Sequence, residues 1–314
     1  MDTPAEAVLA DVRAQLLRDL DDTAWELLPA SLVEQAADRW LSEQLERCTA
    51  LAWGETFAKH CPVPGASPAD YLQRWVRVGD EWVLIGIRMR GGDIAHPFVD
   101  LVAWSRPVPL DDAFAAACDH LAVFAPGRAR LRGGPAPPNG GSLSVSLDQV
   151  YVAGATADVG QGAHAVLEPI TSTDEGLAFV EATYDTWTAS RPWIKDRVQV
   201  VTHAQLASAQ AADSAWWIHG DDERVGLIAT LPGPDREWSG HLVLEEVVRP
   251  GHAGRGWAAR AQRSVAALLH DRGVPVLFGT IDAMNAPSLR AATAVGRPVV
   301  GAWWWLDPEP GHLE

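Results

Sequence analysis

Apolar residues recur at three- and four-residue intervals through the start of the chain and later give way to short β-branched and aromatic runs. In "AEAVLADVRAQLLRDL" the positions Val8, Val12, Leu16, Leu17 and Leu20 share one helical face, and "PASLVEQAADRWLSEQL" repeats the pattern with Ser31 as the expected N-cap. The runs "EWVLIGIRMR" and "PFVDLVAWS" predict strands. "LDDAFAAACDHLAVFA" predicts a helix opened by Asp111 and Asp112, and "RARLRG" a further strand. Gly and Pro together forbid both helix and central strand in "GGPAPPNGGS". The expected division is therefore a first domain over residues 1–132, a Gly/Pro-rich linker over 133–147 and a second domain over 148–314.

Beyond the linker, strands are expected in "DQVYVAGATADV" and "GAHAVLEPI", then a helix in "TDEGLAFVEATYDTWTAS" capped by Thr173 or Asp174. Three strands follow in "SAWWIHG", "RVGLIATLPG" and "HLVLEEVVRP". After them come a glycine-rich elbow with its helix, a strand in "VPVLFGTID", a helix in "APSLRAATAV" with Pro287 in its first turn, and a last strand in "VVGAWWWL". This order describes an α+β fold with a mixed sheet. Strand, helix, strand also recurs at 98–132 in the manner of 241–281, without the glycines.

Composition narrows the function classes. The 314 residues carry 25 Lys and Arg against 41 Asp and Glu, a formal charge of −16, which argues against nonspecific binding to nucleic acid or an anionic membrane and suits a neutral or cationic substrate. Cys48, Cys61 and Cys118 are odd in number and unpaired by spacing, as in a reducing compartment. The acidic start lacks the basic region of a signal peptide, so a soluble cytoplasmic protein is expected. No HExxH and no close Cys/His spacing suggests a metal site.

The elbow carries the chemistry. In "VVRPGHAGRGWAARAQRSVAALL" the glycines Gly251, Gly254 and Gly256 precede a helical repeat of Trp257, Ala261, Val265, Leu268 and Leu269. The first N–H groups of a helix have no internal partner and carry the positive end of its dipole, and glycine lets a ligand approach the backbone. Together these make an anion cradle, to which Arg249 and Arg255 add charge. The elbow lacks the GK[ST] ending of the NTPase phosphate loop and the GxGxxG of the dinucleotide fingerprint.

The stretch resembles the acyl-CoA-binding motif of the GNAT N-acyltransferase superfamily, [QR]xxGx[GA] after a "VxP" strand end. Val248 to Pro250 supply "VRP"; Gly256 and Ala258 match, and Ala253 stands where the family has Arg or Gln. "NAPSLRAATAVGR" is similar to the family's second signature, with Asn285, Ser288 and Gly296 aligned, Arg297 in place of Phe, and Ala292 where a Tyr is frequent. The resemblance spans about 148–306 and implies a GNAT-like mixed central sheet flanked by helices. It implies acetyl-CoA or another acyl-CoA as cosubstrate, held by Val247, Val248, Arg249, Gly254, Arg255, Gly256, Trp257, Ala258 and Asn285, with a backbone N–H near Val247 and Val248 polarising the thioester carbonyl. The acceptor implied is a small-molecule amine, bordered by Tyr184, Trp187 and Trp193, and a homodimer is compatible with this reading.

For the base, the strand before the elbow offers Glu245 and Glu246, which strict alternation puts on opposite faces: Glu246 with Leu244 and Val248, Glu245 with Val243 and Val247. Glu246 interrupts an otherwise apolar face and is preferred, with Glu245 close behind. Ser288 and Tyr184 are the candidates for reprotonating the thiolate. Residues 75–132, where Asp111 and Asp112 replace the glycines at the helix start, read as a degenerate first copy following the N-terminal helices. Transfer of an aminoacyl group from charged tRNA, or acyl-CoA binding without catalysis, are the competing readings.

Overall fold

The computed structural model describes residues 4–20, 22–220, 223–234, 236 and 238–309. The chain divides into two compact units: Met1–Trp25, Pro29–Gln149 and Gly301–Glu314 form the first, and Glu26–Leu28 with Val150–Val300 the second. Both are α+β.

Four helices lead the chain: α1 (Glu6–Arg18), α2 (Asp22–Leu27), α3 (Ala30–Glu46) and α4 (Leu51–His60). The helix expected to be capped by Ser31 begins two residues earlier, with Pro29 at its N-cap and no side-chain cap, because proline's fixed φ already suits a helix entry. The strands β1 (Arg74–Val78), β2 (Glu81–Arg88) and β3 (Phe98–Trp104) are antiparallel neighbours. Helix α5 (Leu110–His120) then carries the chain to β4 (Ala129–Gly133), parallel to β3. Asp111 and Asp112 stand in the first turn of α5, where Asp111 accepts from the N–H and hydroxyl of Ser142 at 3.3 and 3.2 Å. A carboxylate thus occupies the helix start that glycines leave open elsewhere. The irregular stretch after β4 is shorter than the 133–147 expected, since residues 143–147 already belong to β5 (Leu143–Ala155).

The second unit continues through α6 (Thr156–Val159), β6 (Val166–Pro169), α7 (Thr173–Ser190), α8 (Ile194–Arg197), α9 (His203–Ala211), β7 (Ala215–Gly220), β8 (Glu223–Pro234) and β9 (Ser239–Val248). Helix α10 (Trp257–Asp271), β10 (Val276–Asp282), α11 (Ala286–Thr293) and β11 (Val299–Pro308) complete it. The cap of α7 is Ser172, whose hydroxyl accepts from Glu175 N–H, rather than Thr173 or Asp174. β6 to β9 are successive antiparallel neighbours and β10 is parallel to β9. One face packs on α10 through Val265, Leu269, Ile218 and Ile228; the other packs on α7 and α9 through Val180, Leu206, Trp217 and Leu227. β11 returns to the first unit, where Trp304 pairs with Leu131 and Leu306 with Ala129 of β4. Among the described residues no helix is long and apolar enough to cross a membrane.

Candidate functional site

Two features of β9 create the site. Its parallel pairing with β10 is limited, among the described residues, to Leu277 with His241 and Phe278 with Leu242; both strands then run on, to Asp282 and Val248, without pairing each other. The fork leaves one edge of β9 with unpaired backbone. The second feature is a bulge: Glu245 pairs with Ala229 and Val243 with Thr230, so Leu244 has no partner on β8.

The bulge resets which way each side chain faces. Leu244 and Val247 join the cluster under α7 and α9, while Val243 and Val248 join the one under α10. Glu245 follows Leu244 and Val247, with its carboxylate on the α7 side; Glu246 follows Val243 and Val248. Strict alternation gave Val247 to Glu245 and Val248 to Glu246, as found, but it exchanged Val243 and Leu244, because the extra residue at Leu244 shifts the alternation before the glutamates.

Glu245 is buried and accepts three hydrogen bonds. Its Oε1 accepts from the Tyr184 hydroxyl at 2.9 Å and from Glu246 N–H at 3.0 Å, and its Oε2 from Val201 N–H at 3.2 Å. Burial is the largest effect on its carboxyl group and outweighs these three donors, raising the pKa to about 7. Burial also raises Tyr184, helped by the Glu245 charge, so its hydroxyl holds its proton more tightly than a free phenol. Glu246 leans the other way: its Oε2 accepts from Gln262 Nε2 on α10 at 2.7 Å, and its Oε1 is buried without a partner. Gln262 Oε1 in turn accepts from Arg297 at 2.8 Å. Burial raises the Glu246 pKa, opposed by the Arg297 charge, and lowers that of Arg297 to about 10. The arginine at the family's Phe position is thus a buried counter-charge.

The elbow has the form read from the sequence. Gly254 and Gly256 take φ of +76° and +78°, a left-handed backbone that side chains resist, and nothing lies within 4 Å of where a Cβ would stand on either. Gly256 is the N-cap of α10 and makes no side-chain cap, so the first-turn N–H groups, including those of Trp257 and Ala258, open outward. Arg255 is exposed, and Trp257 packs its ring where a Cβ on Gly220 would come within 2.4 Å. Arg249 donates its backbone N–H to Val225 on β8 at 2.9 Å. Because a strand residue turns its N–H and C=O to the same side and successive residues alternate, Val247 faces β8 and Val248 faces the fork. Of the two N–H groups expected near the thioester, Val248's is the one on the open edge.

The remaining residues fall nearby with other partners. Trp187 donates its indole N–H to the Val248 carbonyl at 3.1 Å and carries Arg191 over its ring at 4.3 Å. Trp193 is the N-cap of α8. Asn285 caps α11, accepting from Ser288 N–H at 3.3 Å, and Ala292 is wholly buried, with no hydroxyl to offer where the family often has Tyr. Sequence reasoning did not find Asp282 at the end of β10, which accepts from Arg197 Nε on α8 at 2.9 Å and from Met284 N–H at 2.8 Å. An acidic residue closing a β-run before "NAP" is the only sequence signal for it.

The family model described as an acetyltransferase (GNAT) domain matches residues 164–297. A GNAT-family acetyltransferase from Colwellia psychrerythraea superposes with a TM-score of 0.51 at 9% identity, over 84% of this chain and 97% of its own. A Drosophila protein matches at 0.47 and 13% identity over 89% and 97% of the two chains. A GCN5-related N-acetyltransferase from Sphaerobacter thermophilus matches at 0.48 and 12% identity over 71% and 75%. No curated protein sequence matches.

Proposed function

We propose, since residues 164–297 match the model of an acetyltransferase (GNAT) domain, that the protein moves an acyl group, acetyl first among the candidates, from acyl-CoA to the primary amine of a small molecule. The observation that carries this reading is the parting of β9 from β10 directly before a glycine elbow that opens α10. A pyrophosphate fits that cradle, with backbone N–H groups from Gly254 to Ala258, and Arg255 beside it. The thioester supplies an activated carbonyl and a thiolate leaving group.

The chain's own groups account for the rest. Val248 N–H, on the open edge, is aimed to hydrogen-bond a carbonyl oxygen as negative charge develops there. Attack forms the N–C bond and breaks the C–S bond, and one proton leaves the amine. An alkylammonium has a pKa near 10, so the acceptor arrives protonated at neutral pH and a base is required. Glu245 suits that work better than Glu246, because it faces α7 and its pKa of about 7 lies in the working range. Tyr184 positions it. The raised Tyr184 hydroxyl keeps its proton, which it donates in a hydrogen bond to Glu245, so the thiolate takes its proton from water, directly or relayed through the Ser288 hydroxyl, which regains one proton as it gives one.

Thermal shift of the intact protein with acetyl-CoA, longer acyl-CoAs and bulk tRNA tests the donor, and free-thiol release across a panel of amines tests the acceptor. Stabilisation by acyl-CoA with amine-dependent thiol release is the expected result. Stabilisation by tRNA alone would replace the donor, and acyl-CoA binding without thiol release for any amine would leave a binding module, the outcome that Ala253 and Ala292 at signature positions would then explain.

A further inference from the structure

A cleft of about 490 Å³ lies in the second unit, lined by Phe179, Ala182, Thr183 and Thr186 of α7 and by Arg249 to His252 of the segment entering the elbow. Except for Arg249, which the family resemblance placed with acyl-CoA but whose guanidinium lies over Phe179, its lining is distinct from both parts of the site described above. At 100° per residue, Tyr184 points roughly 150° away from the stripe formed by 179, 182, 183 and 186. The lining also ends before Gly254, where the phosphate cradle begins.

Its chemistry is specific. The Arg249 guanidinium lies 4.7 Å over the Phe179 ring and has neither ion pair nor hydrogen bond among the described residues. His252 holds the Glu223 carboxylate with Nε2 at 3.1 Å, while its Nδ1 is buried without a hydrogen-bond partner. No carboxylate lines the cleft, although acidic residues outnumber basic ones 41 to 25 in the chain. The hydroxyls of Thr183 and Thr186 donate to the helix carbonyls of Phe179 and Ala182, so the α7 wall is largely apolar. A guanidinium without a partner above an aromatic and aliphatic wall forms a receptor with a charged end and an apolar end.

We propose that this cleft binds a small organic anion, its carboxylate or phosphate headgroup on the Arg249 guanidinium and its apolar body against Phe179, Ala182 and Pro250. The assignment does not rest on the acyltransferase reading and stands or falls separately from it.

Calorimetry on the full-length protein with hexanoate, n-butyl phosphate, inorganic phosphate and CoA tests the site. One of the two organic anions binds, which identifies the headgroup, and inorganic phosphate binds more weakly than butyl phosphate. Arg249→Gln weakens the organic anion by about tenfold or more, the size of a lost charge-assisted hydrogen bond. Ala182→Glu does the same by repulsion from an exposed helical position that tolerates glutamate, and leaves CoA affinity unchanged. The proposal is overturned if neither organic anion binds, if both variants bind as the wild type does, or if Ala182→Glu weakens CoA and the organic anion alike, which would make the cleft part of the donor site.

Discussion

At the scale of single residues, the second unit holds two glutamates side by side with opposite environments, and the difference has measurable consequences. Replacing Glu245 by Gln should lower turnover about 10²-fold and abolish the limb of the pH profile that rises through pH 7, with CoA affinity preserved. The same variant should gain stability in alkaline buffer. A carboxyl whose folded pKa is raised favours folding fully only below its unfolded value of 4.5, and that contribution disappears as pH climbs to about 7. Chemical denaturation at pH 8 should therefore show Glu245→Gln more stable than wild type by up to about 3 kcal/mol, and the two proteins should converge below pH 5. Glu246 is tied instead to Gln262 and to the Arg297 charge. Arg297→Met, which strands that carboxylate, should cost about 3 kcal/mol or more, and adding Glu246→Gln should recover much of the loss; additive effects in this cycle would show the two charges to be independent.

Among the elements, the elbow and its helix were legible because their signal is local: three glycines, a helical repeat and a strand ending in "VRP". Gly256→Val tests that segment, since a β-branched residue at φ +78° would strain the N-cap and fill the open space above it. CoA affinity should fall by about tenfold or more in calorimetry, with the fold retained by circular dichroism. The order of the strands and of α7, α10 and α11 in the second unit was legible for the same reason, whereas α6, α8 and α9, short or weakly amphipathic, were not. Which of Val243 and Leu244 shares a face with each glutamate was not. A bulge shifts alternation by one residue, and nothing in "HLVLEEVV" marks Leu244 as the residue that β8 skips, because the bulge is set by pairing with a strand a dozen positions away. Asp282 was hidden likewise, since its partner Arg197 lies 85 residues earlier.

For the molecule as a whole, the Gly/Pro stretch was legible as a break, but its meaning as a boundary was not, because the final strand crosses back over it. Trp303 to Leu306 of β11 pair with Ala129 to Arg132 of β4, and Asp307 bonds Arg128 at 2.9 Å. Protease nicking at the exposed residues Pro135 to Pro137 should therefore leave two pieces that co-elute in native gel filtration and separate only in denaturant; pieces that part in native buffer would contradict this pairing. The same strand bears on how the protein is made. Arg128 emerges from the ribosome 179 residues ahead of Asp307, so β4 is exposed as an unpaired edge while nearly all of the second unit is synthesised. The first unit finishes folding last although it is translated first, and a chain broken off before Trp303 would be released with an unprotected strand in that unit.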